Sequence, residues 1–167
     1  WKSSETLIRN LVRITSRGGN YLLNIGPKPD GTFPEESVKR LKDIGEWMNV
    51  NGEAVYGTKA SPLANLAWGE CTAKEVKSNT VLYLSVFDWP KNGKLVIPGL
   101  KNKVVSAKLL ANGTSLKALA ITDGIIVELP ESAPDAIASV VRLEVKGPVK
   151  RTDDVASKKQ MQTGAID

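Results

Sequence analysis

The sequence contains no histidine and only one cysteine, Cys71, among its 167 residues. The lack of histidine excludes histidine-ligated metal sites, histidine general bases and Ser-His-Asp triads. A single cysteine excludes an internal disulfide, and without a base to activate it Cys71 is interpreted as a small strand residue rather than a nucleophile. We therefore predict neither a metal nor a cofactor.

Long apolar runs and basic clusters are also missing. No run approaches the roughly 20 apolar residues that a membrane span needs, so no membrane partner is predicted. The net charge is +5, but the basic residues are scattered and the aromatic residues, 5% of the chain, are not interleaved with a basic stripe. A mildly basic solvated surface is therefore preferred over nucleic-acid binding. The opening, Trp1-Lys-Ser-Ser-Glu, has no Met and is not a signal peptide, which indicates the interior of a longer protein.

Residues 1–58 predict a helix, a strand and a second helix. Ser3 or Ser4 is a suitable N-cap for an amphipathic helix over about Ser4–Ser16. The apolar run at about Asn20–Ile25, interrupted only by Asn24, predicts a strand buried on both faces, as in a parallel sheet. Pro34 is predicted at the first position of a helix that ends near Asn49–Gly52. One parallel strand is not a complete sheet, so we interpret 1–58 as the tail of a larger α/β domain.

Residues 59–146 change to short alternating runs separated by turn residues. Asp123-Gly124 predicts a hairpin with a type I′ turn. Seven regularly spaced strands predict an antiparallel β-sandwich. The predicted strands are Trp68–Val76, Thr80–Trp89, Lys94–Ile97, Val104–Leu110, Leu116–Thr122, Ile125–Leu129 and Ala138–Val145. Residues 147–167 lack a clear period and are predicted to be a linker or a partly ordered or edge-packed tail.

Catalysis by paired carboxylates would require two acids that converge in one cleft. Most acids here have an ordinary structural interpretation; Asp43 and Glu46, for example, are placed on a solvated helix face. Asp88 beside Trp89 is the least ordinary, because such a pair can stack on and hydrogen-bond a sugar, but a strand-end turn is the preferred interpretation. From the residues alone, the chain contains no complete active site.

Several motifs together resemble one known family. They are Gly18-Gly-Asn-Tyr-Leu-Leu-Asn-Ile-Gly-Pro27, Asp30-Gly-Thr, Ile44-Gly-Glu-Trp47 and Asn51-Gly-Glu-Ala-Val-Tyr-Gly-Thr58. In this order they resemble the end of the catalytic barrel of α-L-fucosidases, glycoside hydrolase family 29. The resemblance covers about residues 1–58 closely and 59–146 only in kind. It implies a mixed α and β fold, in which the end of a (β/α)8-like barrel precedes a β-sandwich C-terminal domain.

The resemblance also implies a function. The family removes terminal α-L-fucosyl residues from glycans with retention, by an Asp nucleophile and a Glu acid/base that lie upstream of the residues present here. No catalytic residue is therefore assigned in this chain, which we expect to be inactive alone. Because active sites of such barrels lie at the C-terminal ends of the strands, Asn24 and Gly26 are predicted to border the substrate pocket. The resemblance further implies a periplasmic or secreted protein.

Two other interpretations remain open. The sandwich could be a carbohydrate-binding module that uses exposed aromatic residues, for which Trp68, Tyr83, Phe87 and Trp89 are the candidates; the shared parity of the last three instead favours core packing. The sandwich could also be a purely structural scaffold. Exposed apolar faces over Leu7–Ile14 and Val38–Met48 are predicted to promote self-association.

Overall fold

The computed structural model describes residues 1–64 and 66–152. Two α-helices, one short 3₁₀ helix and seven β-strands lie in these ranges. The helices are α1 (Ser4–Ser16) and α2 (Glu35–Asn51), and the 3₁₀ helix is Gly52–Ala54. The strands are β1 (Gly69–Val76), β2 (Asn79–Val86), β3 (Lys94–Pro98), β4 (Val104–Leu109), β5 (Ala118–Ile121), β6 (Gly124–Glu128) and β7 (Ser139–Lys146).

Local sequence signals fix both helices. The Ser3 hydroxyl accepts a hydrogen bond from the Thr6 amide, which satisfies one of the free N–H groups at the start of α1. Pro34 is the N-cap of α2 and not its first helical residue, because its ψ of 141° is still extended. Neither helix is long and apolar enough to cross a membrane, which holds for all the described residues.

The strands form two antiparallel sheets, so the predicted sandwich is confirmed. One sheet has the order β1-β2-β7-β4 and the other has the order β3-β6-β5. Apolar residues of both sheets fill the space between them, and Leu82, Leu95 and Leu143 in this core are fully buried. Burial of each such side chain favours folding by about 1.5–3 kcal/mol.

Both faces of the four-stranded sheet are covered, because α1 and α2 pack on the side away from the sandwich core. Ile8, Val12 and Trp47 from the helices share a second core with Val81 and Tyr83 of β2. This explains why every residue from the second position of β2 onward is buried. Ile8 and Val12 are therefore buried, and Leu7, which lies outside this core, is also only 6% exposed. This part of the basis for the predicted self-association is wrong.

Hydrogen bonds and an aromatic contact fasten the helices to the sheet. The Trp47 indole N–H donates to the Ala138 carbonyl at 2.9 Å. The Arg9 guanidinium donates to the carbonyls of Ile137 and Phe87 and lies 5.1 Å from the Phe87 ring centroid. In each of these hydrogen bonds the two residues are more than 75 positions apart in the sequence. Helical periodicity, which is a local signal, therefore does not reveal them.

The structure lacks the strand predicted at Asn20–Ile25. Residues 20–28 have no regular secondary structure. A strand needs a neighbour with which to exchange backbone hydrogen bonds, and the described residues place none beside this segment. The prediction of burial on both faces is also wrong, because Leu22 is 91% exposed.

The hairpin predicted at Asp123-Gly124 is present, but its turn is not of type I′. Ile121 pairs with Gly124, which leaves Thr122 and Asp123 as the central residues. A type I′ turn requires positive φ at both central residues. Among the described residues other than glycine, only Lys77 has a positive φ.

The described part of the predicted tail packs on the loop after β3. The Asn102 side chain accepts from the Lys150 amide and donates to the Pro148 carbonyl. The backbone of Arg151 also forms an isolated antiparallel β-bridge with Leu100. The remainder of that prediction, 153–167, lies outside the described residues.

Candidate functional site

The predicted pocket residues lie in the segment that follows α1. Hydrogen bonds to β1 and to the chain just before it fix the residue at the end of α1 from which this segment starts. The Ser16 hydroxyl donates to the Glu70 carboxylate of β1 at 2.8 Å, and the Ser61 amide donates to the Ser16 carbonyl at 2.7 Å. Gly18 has a φ of +75°, and a Cβ there would lie 3.3 Å from the Ala60 Cβ. Glycine thus permits both the left-handed turn and the close approach, so the segment leaves α1 in a defined direction.

Exposure alternates along this segment. Tyr21, Leu23 and Ile25 are half-buried, whereas Leu22 and Asn24 are exposed. A period of two is typical of an extended chain with one covered face. The odd-numbered side chains thus lie on the covered side and the even-numbered side chains on the open side.

The predicted pocket residues have different surroundings. Asn24 lines a cleft of about 260 Å³ together with Leu23 and Ile25 of the same segment and Leu7 and Leu41 of the helices. Gly26 is exposed, and a Cβ placed on it would have no neighbour within 4 Å among the described residues. Both remain predicted pocket residues.

A defined turn follows Gly26. The Lys28 amide donates to the Thr32 carbonyl at 2.8 Å, and Gly31 has a φ of +81°. The Asp30 carboxylate accepts from both the hydroxyl and the amide of Thr32. These bonds lower the pKa of Asp30, with the hydroxyl bond as the largest cause. Asp30 is thus a turn residue that stays ionised, which does not suit a general acid.

Three carboxylates border one cleft, although the sequence placed two of them on a solvated helix face. This cleft, here named the α2 cleft, has a volume of about 410 Å³ and is bordered by Asp43, Glu46 and Asp135. Hydrogen bonds from Ser4 and Lys39, the first being the larger cause, lower the pKa of Asp43. A catalytic acid needs a raised pKa, so Asp43 does not fit that role.

The contribution of Asp135 was missed at the sequence level. Its Oδ1 accepts from the amides of Ile137 and Ala138, as a loop-capping residue does. An Asp that follows Pro134 gives a local turn signal, but only the tertiary fold brings it beside α2.

Asp88 and Cys71 carry no chemistry in the structure. Asp88 is exposed, and its amide donates to the Trp68 carbonyl as part of the turn after β2. Burial raises the pKa of the Cys71 thiol to about 12, so it stays protonated at neutral pH. No group of three or more His, Cys, Asp or Glu residues in the described ranges is arranged to hold a metal ion.

The four candidate aromatic residues do not form an exposed platform. Trp68 and Tyr83 are buried, and Phe87 and Trp89 are half-buried. The polar groups of three of them are engaged, since Trp68 and Trp89 donate to the carbonyls of Val96 and Pro130 and the Tyr83 hydroxyl donates to Glu53. They also divide between the two cores: Tyr83 and Phe87 belong to the helix side and Trp89 to the sandwich side. The common orientation of Tyr83, Phe87 and Trp89 that shared parity predicted is wrong. Strand β2 ends at Val86, so strand alternation does not extend to Phe87 and Trp89.

An ionic cluster that the sequence did not reveal lies on the helix side of the four-stranded sheet. Glu53 accepts from the Tyr83 hydroxyl at 2.7 Å, and Arg142 lies between Glu53 and Glu144. Burial, followed by the bond to Glu53, raises the pKa of Tyr83. Because both carboxylates are ion-paired to Arg142, the cluster connects the 3₁₀ helix to β2 and β7, and we do not interpret it as a catalytic pair.

Comparisons with known proteins agree with the fold and with the motifs. The family model described as alpha-L-fucosidase matches residues 1–53. The plasma alpha-L-fucosidases of Pongo abelii and Homo sapiens are each 36% identical to the chain over 136 residues, which cover 76% of the chain and 28% of each relative. The alpha-L-fucosidase of Dictyostelium discoideum is 31% identical and is covered to 30%.

Solved structures show the same similarity. Alpha-L-fucosidase isoenzyme 1 from Paenibacillus thiaminolyticus superposes with a TM-score of 0.77 and 31% identity, over 87% of this chain and 35% of that one. A family 29 alpha-L-fucosidase from Bacteroides thetaiotaomicron, solved as a trapped covalent intermediate with 2-fluoro-fucosyl fluoride, gives a TM-score of 0.79 and 30% identity. The matched part makes up 33% of that structure's chain, so the chain spans about a third of the length of the relatives that it matches. By sequence and by structure, the chain belongs to the α-L-fucosidases of glycoside hydrolase family 29 and represents a C-terminal part of such a protein.

Proposed function

We propose that the whole protein is a retaining α-L-fucosidase that hydrolyses terminal α-L-fucosyl residues from glycans. In this proposal residues 1–58 are the end of the catalytic barrel, 59–146 are the sandwich, and the catalytic carboxylates lie outside this chain. The covalent intermediate trapped in the Bacteroides thetaiotaomicron relative supports retention, because a glycosyl-enzyme intermediate distinguishes retaining from inverting enzymes.

The alternating exposure of residues 21–25 is the observation in this chain that supports placing the segment at the end of the barrel. Outer residues of a barrel strand contact the surrounding helices and inner residues face the barrel axis. Leu23 and Ile25 are half-buried in a cleft with both helices, whereas Leu22 is exposed and Asn24, at the edge of the same cleft, is exposed too. Such a segment suits a last barrel strand whose neighbour and interior come from another part of the protein.

Asn24 provides the direct test, in a longer protein that includes the rest of the barrel. We expect Asn24→Ala to lower kcat/KM for an aryl α-L-fucoside by about tenfold, the loss of one polar contact to a bound sugar. Asn20→Ala is the matched control, because Asn20 is also exposed and lies about 13 Å away along an extended chain, at the opposite strand end. Equal effects of the two substitutions would contradict the predicted pocket border.

The role proposed for the sandwich is to brace the barrel. Trp47 and Arg9 bond to the loop just before β7, and Ser16 bonds to Glu70 of β1, which supports this role. The sugar-binding alternative has no comparable support, because all four candidate aromatic residues are at least half-buried.

We further propose a periplasmic or secreted location. The relatives include proteins named plasma alpha-L-fucosidase, which supports exposure of that class to extracellular fluid. Fractionation of the native host with a cytoplasmic marker tests this proposal, and co-fractionation of the protein with that marker would contradict it.

A further inference from the structure

The α2 cleft contains a buried polar atom that the fold leaves unsatisfied. Asn51 is 2% exposed and lines the cleft, and its Oδ1 has no hydrogen-bond partner among the described residues. A buried acceptor without a donor is costly, and such groups are rare in native proteins. The position therefore calls for a donor that enters from outside.

The orientation of the Asn51 amide is set by the helix. Its Nδ2 donates to the Trp47 carbonyl, one turn earlier in α2, at 3.2 Å. A flipped amide would place Oδ1 against that carbonyl, so the oxygen is the atom left for a ligand. The indole N–H of Trp47, which also lines the cleft, is already bonded to the Ala138 carbonyl. The Trp47 N–H and one N–H of Asn51 are thus used, whereas the Asn51 Oδ1 acceptor has no partner among the described residues.

Charge and shape narrow the class of ligand. The polar rim is formed by the carboxylates of Asp43, Glu46 and Asp135, and no basic residue of the described ranges lines the cleft. Asp43 and Glu46 are ion-paired to Lys39 and Lys42, so Asp135 is the rim carboxylate that has no ion-pair partner among the described residues. Apolar walls from Trp47, Val50 and Ile137 complete it. A group that donates several hydrogen bonds, carries positive charge and has an aliphatic stem is complementary to this surface. A guanidinium satisfies these requirements because it has five N–H donors and no acceptor.

We propose that the α2 cleft binds an alkylguanidinium group, with its head at Asn51 Oδ1 and the Asp135 carboxylate and its stem against Trp47. The group can be the side chain of an arginine in a peptide or a free alkylguanidinium. This inference is independent of the fucosidase activity, since the cleft is on the sandwich side of α2 and Asn24 is not among its lining residues.

Proton–nitrogen NMR of the 167-residue chain tests the proposal with butylguanidinium as the probe. We expect saturable shifts of the Asn51 amide and the Trp47 indole N–H. The Trp68 indole N–H, bonded to the Val96 carbonyl in the other core, is the internal control and should not move. Butylurea has a similar shape without the charge. Equal shifts with butylurea, or no saturable shift with butylguanidinium, would overturn the proposal.

Two variants locate the binding. Asp135→Asn keeps an oxygen that can accept from Ile137 and Ala138, so the turn is preserved while the charge is removed; we expect binding to weaken about fivefold. Its control is Asp123→Asn, in the distant β5–β6 hairpin. Asn51→Leu should weaken binding by about fivefold or more, whereas Asn49→Leu, on the exposed face of the same helix, should not. Unchanged affinity in a folded Asp135→Asn protein would overturn the assignment.

The source of the group is distinguished by a second ligand, N-acetyl-arginine amide. Saturable shifts of the same two signals would support an arginine side chain as the natural occupant. Binding of butylguanidinium alone would support a free alkylguanidinium. Binding of neither would contradict the proposal.

Discussion

At the scale of single residues, two glycines lie where a side chain would collide with a neighbouring strand. A Cβ on Gly69 would lie 2.0 Å from the Ser85 carbonyl oxygen, and a Cβ on Gly124 would lie 2.2 Å from the Ile97 carbonyl oxygen. Both oxygens belong to backbone that cannot rotate away. On the exposed surface of α2, a Cβ on Gly45 would have no atom of residues 1–64 or 66–152 within 4 Å.

These surroundings predict that replacing glycine by alanine has opposite effects on the free energy of unfolding at Gly124 and at Gly45. Gly124→Ala should lower the free energy of unfolding by about 2 kcal/mol or more, because strand β3 must move. Gly45→Ala should raise it by up to about 1 kcal/mol, because alanine is the better helix former. Urea unfolding of both variants checks this, and a Gly124→Ala protein as stable as the parent would show that the β3–β6 packing is incorrect.

Glu144 gives the protein a defined response to acid. A hydrogen bond from the Asn79 amide and a second from Arg142 lower its pKa below the ordinary value of 4.5. A carboxylate with a lowered folded-state pKa stabilises the fold above its ordinary pKa, and this contribution is lost as pH falls through the lowered value.

Glu144→Gln should therefore be destabilising only where the carboxylate is ionised. We expect a loss of about 1 kcal/mol at pH 7 and a difference close to zero near pH 2. Urea unfolding at the two pH values measures it, with exposed Glu131→Gln as the control. A loss of the same size at both pH values would mean that the charge of Glu144 is not the cause.

At the scale of elements, the helices and strands were predictable because their signals are local. Ser3 and the apolar period identify α1, and alternation with turn residues identifies every strand of the sandwich. The segment at Asn20–Ile25 was predicted incorrectly, because strand formation depends on a neighbour that local sequence does not specify. The turn at Asp123 failed for a related reason, since pairing of Ile121 with Gly124 moved the glycine out of the centre of the turn.

The docking of α2 on the sheet should dominate the stability of the helical part. Trp47 is 4% exposed and donates to the Ala138 carbonyl. Trp47→Ala should cost roughly 3–5 kcal/mol, as large-to-small changes in a core do. Leu22→Ala, at a side chain that is 91% exposed, should change stability by less than about 0.5 kcal/mol. Thermal unfolding followed by circular dichroism compares them, and similar midpoints would contradict the observed packing of α2.

At the scale of the whole molecule, the sheet order and the clefts could not be derived from the sequence. The neighbours of β7 are β2 and β4, which precede it by about fifty and thirty residues. This pairing creates the second core and brings Asp135 beside α2. The motifs of residues 18–58 nevertheless identified the family, because they follow one another in a specific order.

Exposed apolar residues should govern the behaviour of the isolated chain. Leu22, Val38 and Leu41 are 91%, 51% and 42% exposed. The apolar residues of α1 that were expected to be exposed are buried, so the prediction of self-association now rests on Leu22, Val38 and Leu41. Sedimentation analysis should show association that decreases in a Leu22→Lys, Val38→Lys double variant, and an unaltered sedimentation profile would contradict it.

The central claim is that this chain supplies the end of a fucosidase barrel and its sandwich, whereas the catalytic carboxylates lie elsewhere. The most direct measurement is release of 4-nitrophenol from 4-nitrophenyl α-L-fucoside by the chain alone and by a longer protein that adds the upstream barrel. We predict turnover only by the longer protein. Turnover by the 167-residue chain itself would contradict the account, because the carboxylates of residues 1–64 and 66–152 are hydrogen-bonded, ion-paired or solvated and form no recognised catalytic pair there.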